Sequence, residues 1–256
     1  MRLLVLAASL ASFSSFGATE EDLWKEARTS ATAFEKRTGV PMQWLEGDPA
    51  KGQSVGDEVI AWPPSALDVT SSAPALLNEL TIYPDAFLKS SGLKRVVIAR
   101  GLERHGTAWG GFAFWAGPKK GTLYVSLRNL ARAAVTIHHE VFHLTQHTSA
   151  IESRRDSWSA CNPPGFVYAV DGEIDRTRQR VATITGYART SLVEDQAEMF
   201  AWAVSDGAFM AQQSQQDEAI ACKAKLIRTF VKLVDSGFDD ARWEKLASRK
   251  PGDSLP

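Results

Sequence analysis

The sequence predicts an α+β protein, with a small mixed sheet of about three or more strands followed by a long helix and further C-terminal helices. Three observations carry this. Between residues 93 and 127, β-branched and aromatic residues come in short runs separated by glycine-rich turns. From residue 129 onward, apolar positions recur at spacings of three and four. The strand-like runs precede the helical ones instead of alternating with them, which is the order of α+β rather than α/β chains. The 256 residues suffice for one large domain or a compact domain with appendages. Hydrophobic content of 44%, charged content of 23% and a net charge of -1 belong to an ordinary soluble globular chain. That balance offers no basic surface for nucleic acid or an anionic membrane.

Taken in order, residues 1–17 read as a secretory signal peptide. Arg2 is a short positive start, Leu3 to Phe16 are apolar, and Ser15-Phe16-Gly17 place small residues at the cleavage site before Ala18. The stretch is too short to span a bilayer core comfortably. The expectation is a secreted or periplasmic protein with no membrane span once the leader is removed. Residues 18–75 read as an N-terminal helix and a loop-rich segment. Glu20 to Arg37 carry Leu23, Ala27, Ala31 and Phe34 at helical spacing, and Gly39 and Pro41 stop the pattern. Met42 to Ser72, dense in Gly, Pro, Ser and Asp, read as loop with little regular structure.

Residues 76–250 form the main predicted domain. Ala75 to Leu88 read as a helix broken at Pro84. Leu93–Ala99, Gly110–Trp115 and Thr122–Leu127 read as strands, the last two joined by a hairpin-like loop at Gly117–Gly121. Asn129 opens a helix to about Thr148 with an apolar stripe of Leu130, Ala134, Ile137, Val141 and Leu144. That stripe faces away from His139 and His143, leaving one side of the helix to be buried and the other for chemistry. Ser149 to Thr185 read as irregular, followed by helices over about Ser191–Asp206 and Gln215–Asp235. Cys161 and Cys222, in an exported chain, predict one disulfide. Trp109, Trp115 and Trp158 are candidates to line a groove, although core packing is the commoner role for tryptophan.

Four of the five histidines fall between Ile137 and His147. His139-Glu140-Val141-Phe142-His143 fits H-E-x-x-H. Residues i and i+4 stack on one helical face, so both imidazoles can reach one Zn²⁺. Glu140, about 100° around the helix, can touch a water beside the metal without ligating it. His143 and His147 share the spacing, but Leu144 stands where that pair would need its acid. His138 points nearer the apolar stripe, and both it and His147 are assigned supporting roles. A catalytic zinc ordinarily takes three protein ligands. The metzincin pattern needs Gly and then His after the second histidine. Gln146 and Ser149 stand there, which excludes that class. A distant carboxylate is left as the third ligand. In the stretch Gly186 to Ala201, Glu194 and Glu198 are one turn apart. One can ligate zinc, and the other can accept a hydrogen bond from a ligating imidazole. Ser191-x-x-Glu194 is also a capping box, which would account for Glu194 alone. Asp171 and Glu173 come next in line as ligands.

The HExxH helix, then Tyr187, Glu194 seven residues later and Glu198 completing ExxxE resemble the gluzincin peptidases. The likeness is greatest to the group that contains the catalytic domain of anthrax lethal factor and many bacterial secreted zinc peptidases. It covers about Leu76 to Val204, with Tyr83-Pro84 and Asn162 to Phe166 as weaker marks. The resemblance implies a zincin-like fold built around an active-site helix. It implies zinc held by His139, His143 and Glu194, with Glu140 as general base. Tyr187 would donate to the oxyanion, and Glu198 would steady a ligand from behind. Gly186 stands where some relatives carry Ser. The implied partner is a peptide or protein substrate, cleaved by a monomer. The Thr122–Leu127 strand is expected to be the sheet edge along which that substrate pairs. Two other readings share these residues: a zincin-fold module that binds zinc and cleaves nothing, and a zinc amidase acting on a cell-wall amide.

Overall fold

A computed structural model of the chain describes residues 19–84, 86–169 and 181–249. The expected leader at residues 1–17, and Asp171 and Glu173, lie outside these. The architecture is mixed α+β, as expected. Its helices are α1 (Glu20–Thr38), α2 (Ala66–Thr81), α3 (Phe87–Ser90), α4 (Leu130–Gln146), α5 (Ser149–Glu152), α6 (Arg155–Ser159), α7 (Leu192–Ser205), α8 (Gly207–Gln216), α9 (Glu218–Val234) and α10 (Asp240–Ala247). The strands are β1 (Met42–Trp44), β2 (Gln53–Gly56), β3 (Val59–Trp62), β4 (Arg95–Ala99), β5 (Gly101–Arg104), β6 (Thr107–Trp109), β7 (Gly111–Phe114) and β8 (Thr122–Ser126). Among the described residues, no helix is long and apolar enough to cross a membrane.

Two four-stranded sheets stack. The first has the order β1-β4-β8-β7, with β1, β4 and β8 parallel and β7 antiparallel to β8. The second, β2-β3-β5-β6, is antiparallel throughout. Strand alternation divides the side chains of β4 and β8 between two cores. Val96, Ile98, Leu123 and Val125 meet Ile137, Val141 and Phe142 of α4 in the main core. Val97, Phe112 and Tyr124 face Val55, Val59 and Leu102 of the second sheet. Because both faces are covered, β4, β7 and β8 read as continuous apolar runs rather than alternating ones.

The expected loop over Met42–Ser72 is instead three strands and the start of a helix. The β2–β3 turn is made by Asp57 and Glu58 at φ 49° and 61°. Two acidic residues in left-handed conformation lack the Asn-Gly signature that marks such hairpins in a sequence. The buried members of β2 and β3, Val55, Val59 and Ala61, are few and short-range, and only the facing sheet gives them a core. α2 likewise begins earlier than expected. Ser65 and Asp68 form a reciprocal capping box, with Ser65 N donating to Asp68 Oδ2 at 2.8 Å. The helix then passes through Pro74 and ends at Thr81, before Pro84. An interior proline costs about 3 kcal/mol. Complete burial of Leu76 and Leu80, at about 1.5–3 kcal/mol each, outweighs it. α8, α10 and the short α5 and α6 were not legible as helices; each is brief and closes against its neighbours.

Cys161 and Cys222 are disulfide-bonded, with Cα atoms 5.7 Å apart. The bridge ties the end of α6 to α9 over 61 residues of chain, a span that contains α7. On the loop-entropy model its reduction is expected to lower stability by about 4 kcal/mol. Denaturant unfolding with and without a dithiol reductant checks this, and an unchanged midpoint would contradict it.

Candidate metal centre

α4 and α7 pack along their lengths, and their shared face carries the candidate residues. His139 and His143 lie one turn apart on α4, with ring centroids 4.6 Å apart. Their Nε2 atoms are 2.9 Å apart. Glu194, in the first turn of α7, brings Oε2 to 3.0 Å from His139 Nε2 and 3.4 Å from His143 Nε2. The three side chains form a group able to hold a metal ion.

Partners behind the rings decide the protonation. Glu198, one turn after Glu194, accepts from His139 Nδ1 at 2.8 Å. Glu198 is itself held by the Thr185 hydroxyl, which donates to Oε2 at 2.7 Å. Gln146 accepts from His143 Nδ1 at 3.0 Å, and its amide nitrogen donates to the Val193 carbonyl at 2.6 Å. With both Nδ1 atoms donating outward, both Nε2 atoms turn lone pairs inward. Glu194 Oε2 adds a third acceptor, and it is buried with no well-aligned hydrogen bond of its own. Three acceptors converging in a buried site require a cation between them. Their spacings of 2.9 to 3.4 Å suit one small ion, since a tetrahedral site with about 2.1 Å bonds sets its ligands about 3.4 Å apart. The residues therefore fit a metal.

Without metal, a proton serves. Burial alone would push His139 down, but Glu194 and Glu198, aided by Glu140, outweigh it and hold the imidazole up at about 10. Burial likewise works against the Glu194 and Glu198 carboxylates, yet the imidazoles hold both below the usual range. The His139 contribution to stability is complete below the imidazole's ordinary value of about 6.5 and is lost as pH rises through about 10. Urea unfolding of chelator-treated protein is expected to show lower stability at about pH 10.5 than at about pH 6.5, and a Glu198→Gln variant a smaller difference. An unaltered difference in that variant would contradict the assignment.

Glu140 sits on the same turn as His139 and is buried. Ala113 N of β7 donates to its Oε2 at 2.9 Å. Gly111, two residues earlier on the same face of β7, leaves the space that the carboxylate arm occupies. A Cβ there would stand 2.8 Å from Glu140 Cγ and 3.2 Å from Thr136 Cγ2. Gly111→Ala is thus expected to displace Glu140 while leaving His139, His143 and Glu194 in place. Metal content within error of wild type, with the Glu140 carboxylate displaced from Ala113 N in a crystal structure of the variant, would bear this out; an unmoved carboxylate would refute it.

Tyr187 caps the short 3-10 turn Ala188–Thr190 that leads into α7, and its ring lies 5.7 Å from that of His139. Burial, then the charges of Glu194 and Glu140, hold its phenol far above the ordinary value, so it keeps its proton as a donor. Ser191 caps α7 by accepting from Glu194 N at 3.2 Å. Only half of the possible capping box is present, because the Glu194 carboxylate faces the histidines instead of reaching back to Ser191.

Two expectations change. The His139 face of α4 is not open: His139, Glu140 and His143 are as buried as the apolar stripe members Ile137, Val141 and Leu144, since β7 and α7 cover them. The sheet edge is β7, not Thr122–Leu127, because β8 lies between β4 and β7. The hairpin turns the chain back, so the strand next to α4 in sequence is the inner one.

The other histidines point elsewhere. His138 is fully buried, with Nδ1 2.7 Å from the Tyr83 hydroxyl and Nε2 2.8 Å from Glu79, which Arg249 also engages. Burial lowers its pKa and favours the neutral ring. His147 stacks on Trp115 at 5.6 Å and pairs with Glu152 at 3.4 Å. Trp115 is exposed and also borders His143, whereas Trp158 is core. Trp158 Nε1, Tyr168 and Lys223 all donate to Asp195, the residue after Glu194, and the Asp195–Lys223 pair is fully buried. Gln146 and Thr185 were missed as site residues. Gln146 had a signal, three residues after His143 on the same face, while Thr185 had none. Comparison with known proteins finds no matching family model, no matching curated protein and no matching solved structure.

Proposed function

We propose that this chain is an exported zinc metallopeptidase of the gluzincin type, hydrolysing peptide bonds. The observation that carries the reading is the convergence of His139 Nε2, His143 Nε2 and Glu194 Oε2 beside a buried carboxylate, Glu140, held on a strand edge. The disulfide fits an oxidising compartment. Imidazole and carboxylate donors in a three-ligand set are those of catalytic zinc. His139, His143 and Glu194 would hold the zinc, which would supply a water of pKa near 7 and a charge to polarise a carbonyl.

The chain's own groups do the rest. Glu198 and Gln146 keep both imidazoles in one tautomer and orientation. Ala113 N–H holds one oxygen of Glu140, and the other takes the proton of the attacking water. Glu140 then delivers that proton to the leaving amine as the C–N bond breaks. Tyr187, kept protonated, donates to the oxygen that gains charge; such a donor is worth about 3 kcal/mol. The outer edge of β7 offers an extended substrate main-chain groups other than Ala113 N–H, which Glu140 already engages. Zymography with casein beside peptidoglycan tests the reading. Clearing of casein supports a peptidase. Clearing of peptidoglycan alone would move the reaction to a non-protein amide, and clearing of neither by zinc-loaded protein would leave a binding module.

A further inference from the structure

A cleft of about 960 Å³ opens beside β1, the strand at the edge of the first sheet opposite β7. It runs from α1 past β1 and across Arg95 and Val97 of β4 to Tyr124 of β8 and Lys119 of the β7–β8 turn. Two features mark it. The first is an unused strand edge. β1 is the outer strand, and it meets β4 through Pro41, whose carbonyl accepts from Val96 N at 2.9 Å, and Leu45, whose N–H donates to Ile98 at 2.8 Å. In a parallel ladder the alternate residues, here Met42 and Trp44, turn their main-chain groups to the outer side, and both line the cleft.

The second is charge. Arg95 and Lys119 are half-buried on the floor, and Arg28 stands on the α1 wall. None of the three has a carboxylate within ion-pair reach among the described residues. Arg95 makes a neutral bond to Thr122 Oγ1 at 3.3 Å, and its buried Nε has no partner. Lys119 donates to the Val55 carbonyl and lies 5.8 Å from the centres of the Phe114 and Tyr124 rings. Glu35 and Glu46 also border the cleft, but at its exposed rim. Half-buried cations without counter-charge favour an anion, and a guanidinium takes a carboxylate with particular strength. Trp24 and Trp44, edge to face at 6.3 Å, add apolar surface beside them.

We infer that this cleft docks an extended acidic segment of a partner protein by strand addition to β1. The main chain of the segment pairs with Met42 and Trp44. An acidic side chain on the face of Val97 and Tyr124 is directed to Arg95 and Lys119, and the side chains next to it in sequence, on the opposite face, meet the tryptophans. The site is independent of the metal centre and of the peptidase reading.

The test titrates full-length mature protein, in the presence of chelator, with an end-blocked heptapeptide. Its central glutamate is flanked immediately on each side by phenylalanine. Calorimetry and tryptophan fluorescence report binding. Replacing the glutamate by lysine, or N-methylating alternate amides to remove the ladder donors, is expected to weaken binding at least tenfold. Arg95→Met is expected to weaken it at least fivefold, and Arg28→Gln, at an exposed helix position that does not endanger folding, about threefold. No binding, equal binding of the glutamate and lysine peptides, or indifference to N-methylation would overturn the proposal. So would binding of an oligogalacturonate in place of the peptide, which would make the cleft a glycan site.

Discussion

Glu140→Gln is expected to keep its metal and lose at least about a hundredfold in turnover, the range in which a positioned general base contributes. Glutamine has nearly the shape of glutamate, and its amide oxygen can still accept from Ala113 N–H, the contact that holds the side chain against β7. His139, His143 and Glu194 are untouched. What is lost is the oxygen that accepts a proton and later returns it. Zinc content by ICP-MS and kcat on a cleaved peptide, measured on the same preparation, separate the two effects. Turnover near wild type would end the assignment of Glu140 as base. Loss of metal together with activity would show that the substitution disturbed the ligands, making Glu140 part of the metal-holding set.

The second large effect is expected from Glu194→Ala. The wild-type chain should carry one zinc, and the variant should hold it far more weakly, beyond the roughly 10- to 100-fold that loss of an outer hydrogen-bond partner costs. Glu198→Ala supplies that outer-partner comparison, because Glu198 reaches His139 Nδ1 while Glu194 reaches the inward Nε2 atoms. The order of the two variants is therefore diagnostic. Equal zinc retention in wild type and Glu194→Ala would place the third ligand elsewhere. A larger loss in Glu198→Ala than in Glu194→Ala would exchange their roles.

The parts of the site legible from sequence are those set by local geometry. His139 and His143 share a face because 3.6 residues make a turn, and Glu194 and Glu198 do so for the same reason. The ends of α1 could be read because Gly39 takes φ 68° where Gly39 and Pro41 were expected to stop the helix. The Cys161–Cys222 bridge followed from there being two cysteines in a chain expected to be exported. Where a turn lacked its usual residues, as at Asp57-Glu58, the strands on either side were lost with it.

Other features depended on contacts between segments far apart in the chain. Gln146 became an orienting residue because α7 brings the Val193 carbonyl to its amide, 47 residues away. Thr185 supports Glu198 only because the segment before α7 folds back beside it. That β7, not β8, is the edge follows from strand order, which no periodicity encodes. The sequence by itself determined the paired histidines of the HExxH motif on one helix and the paired acids on another, because a helix makes spacing into position. Which acid faces the imidazoles, how deeply the centre is sunk and which strand lies open beside it were decided by the tertiary structure. Those depend on how the two cores pack α4 between β7 and α7, and packing is a property of the whole chain.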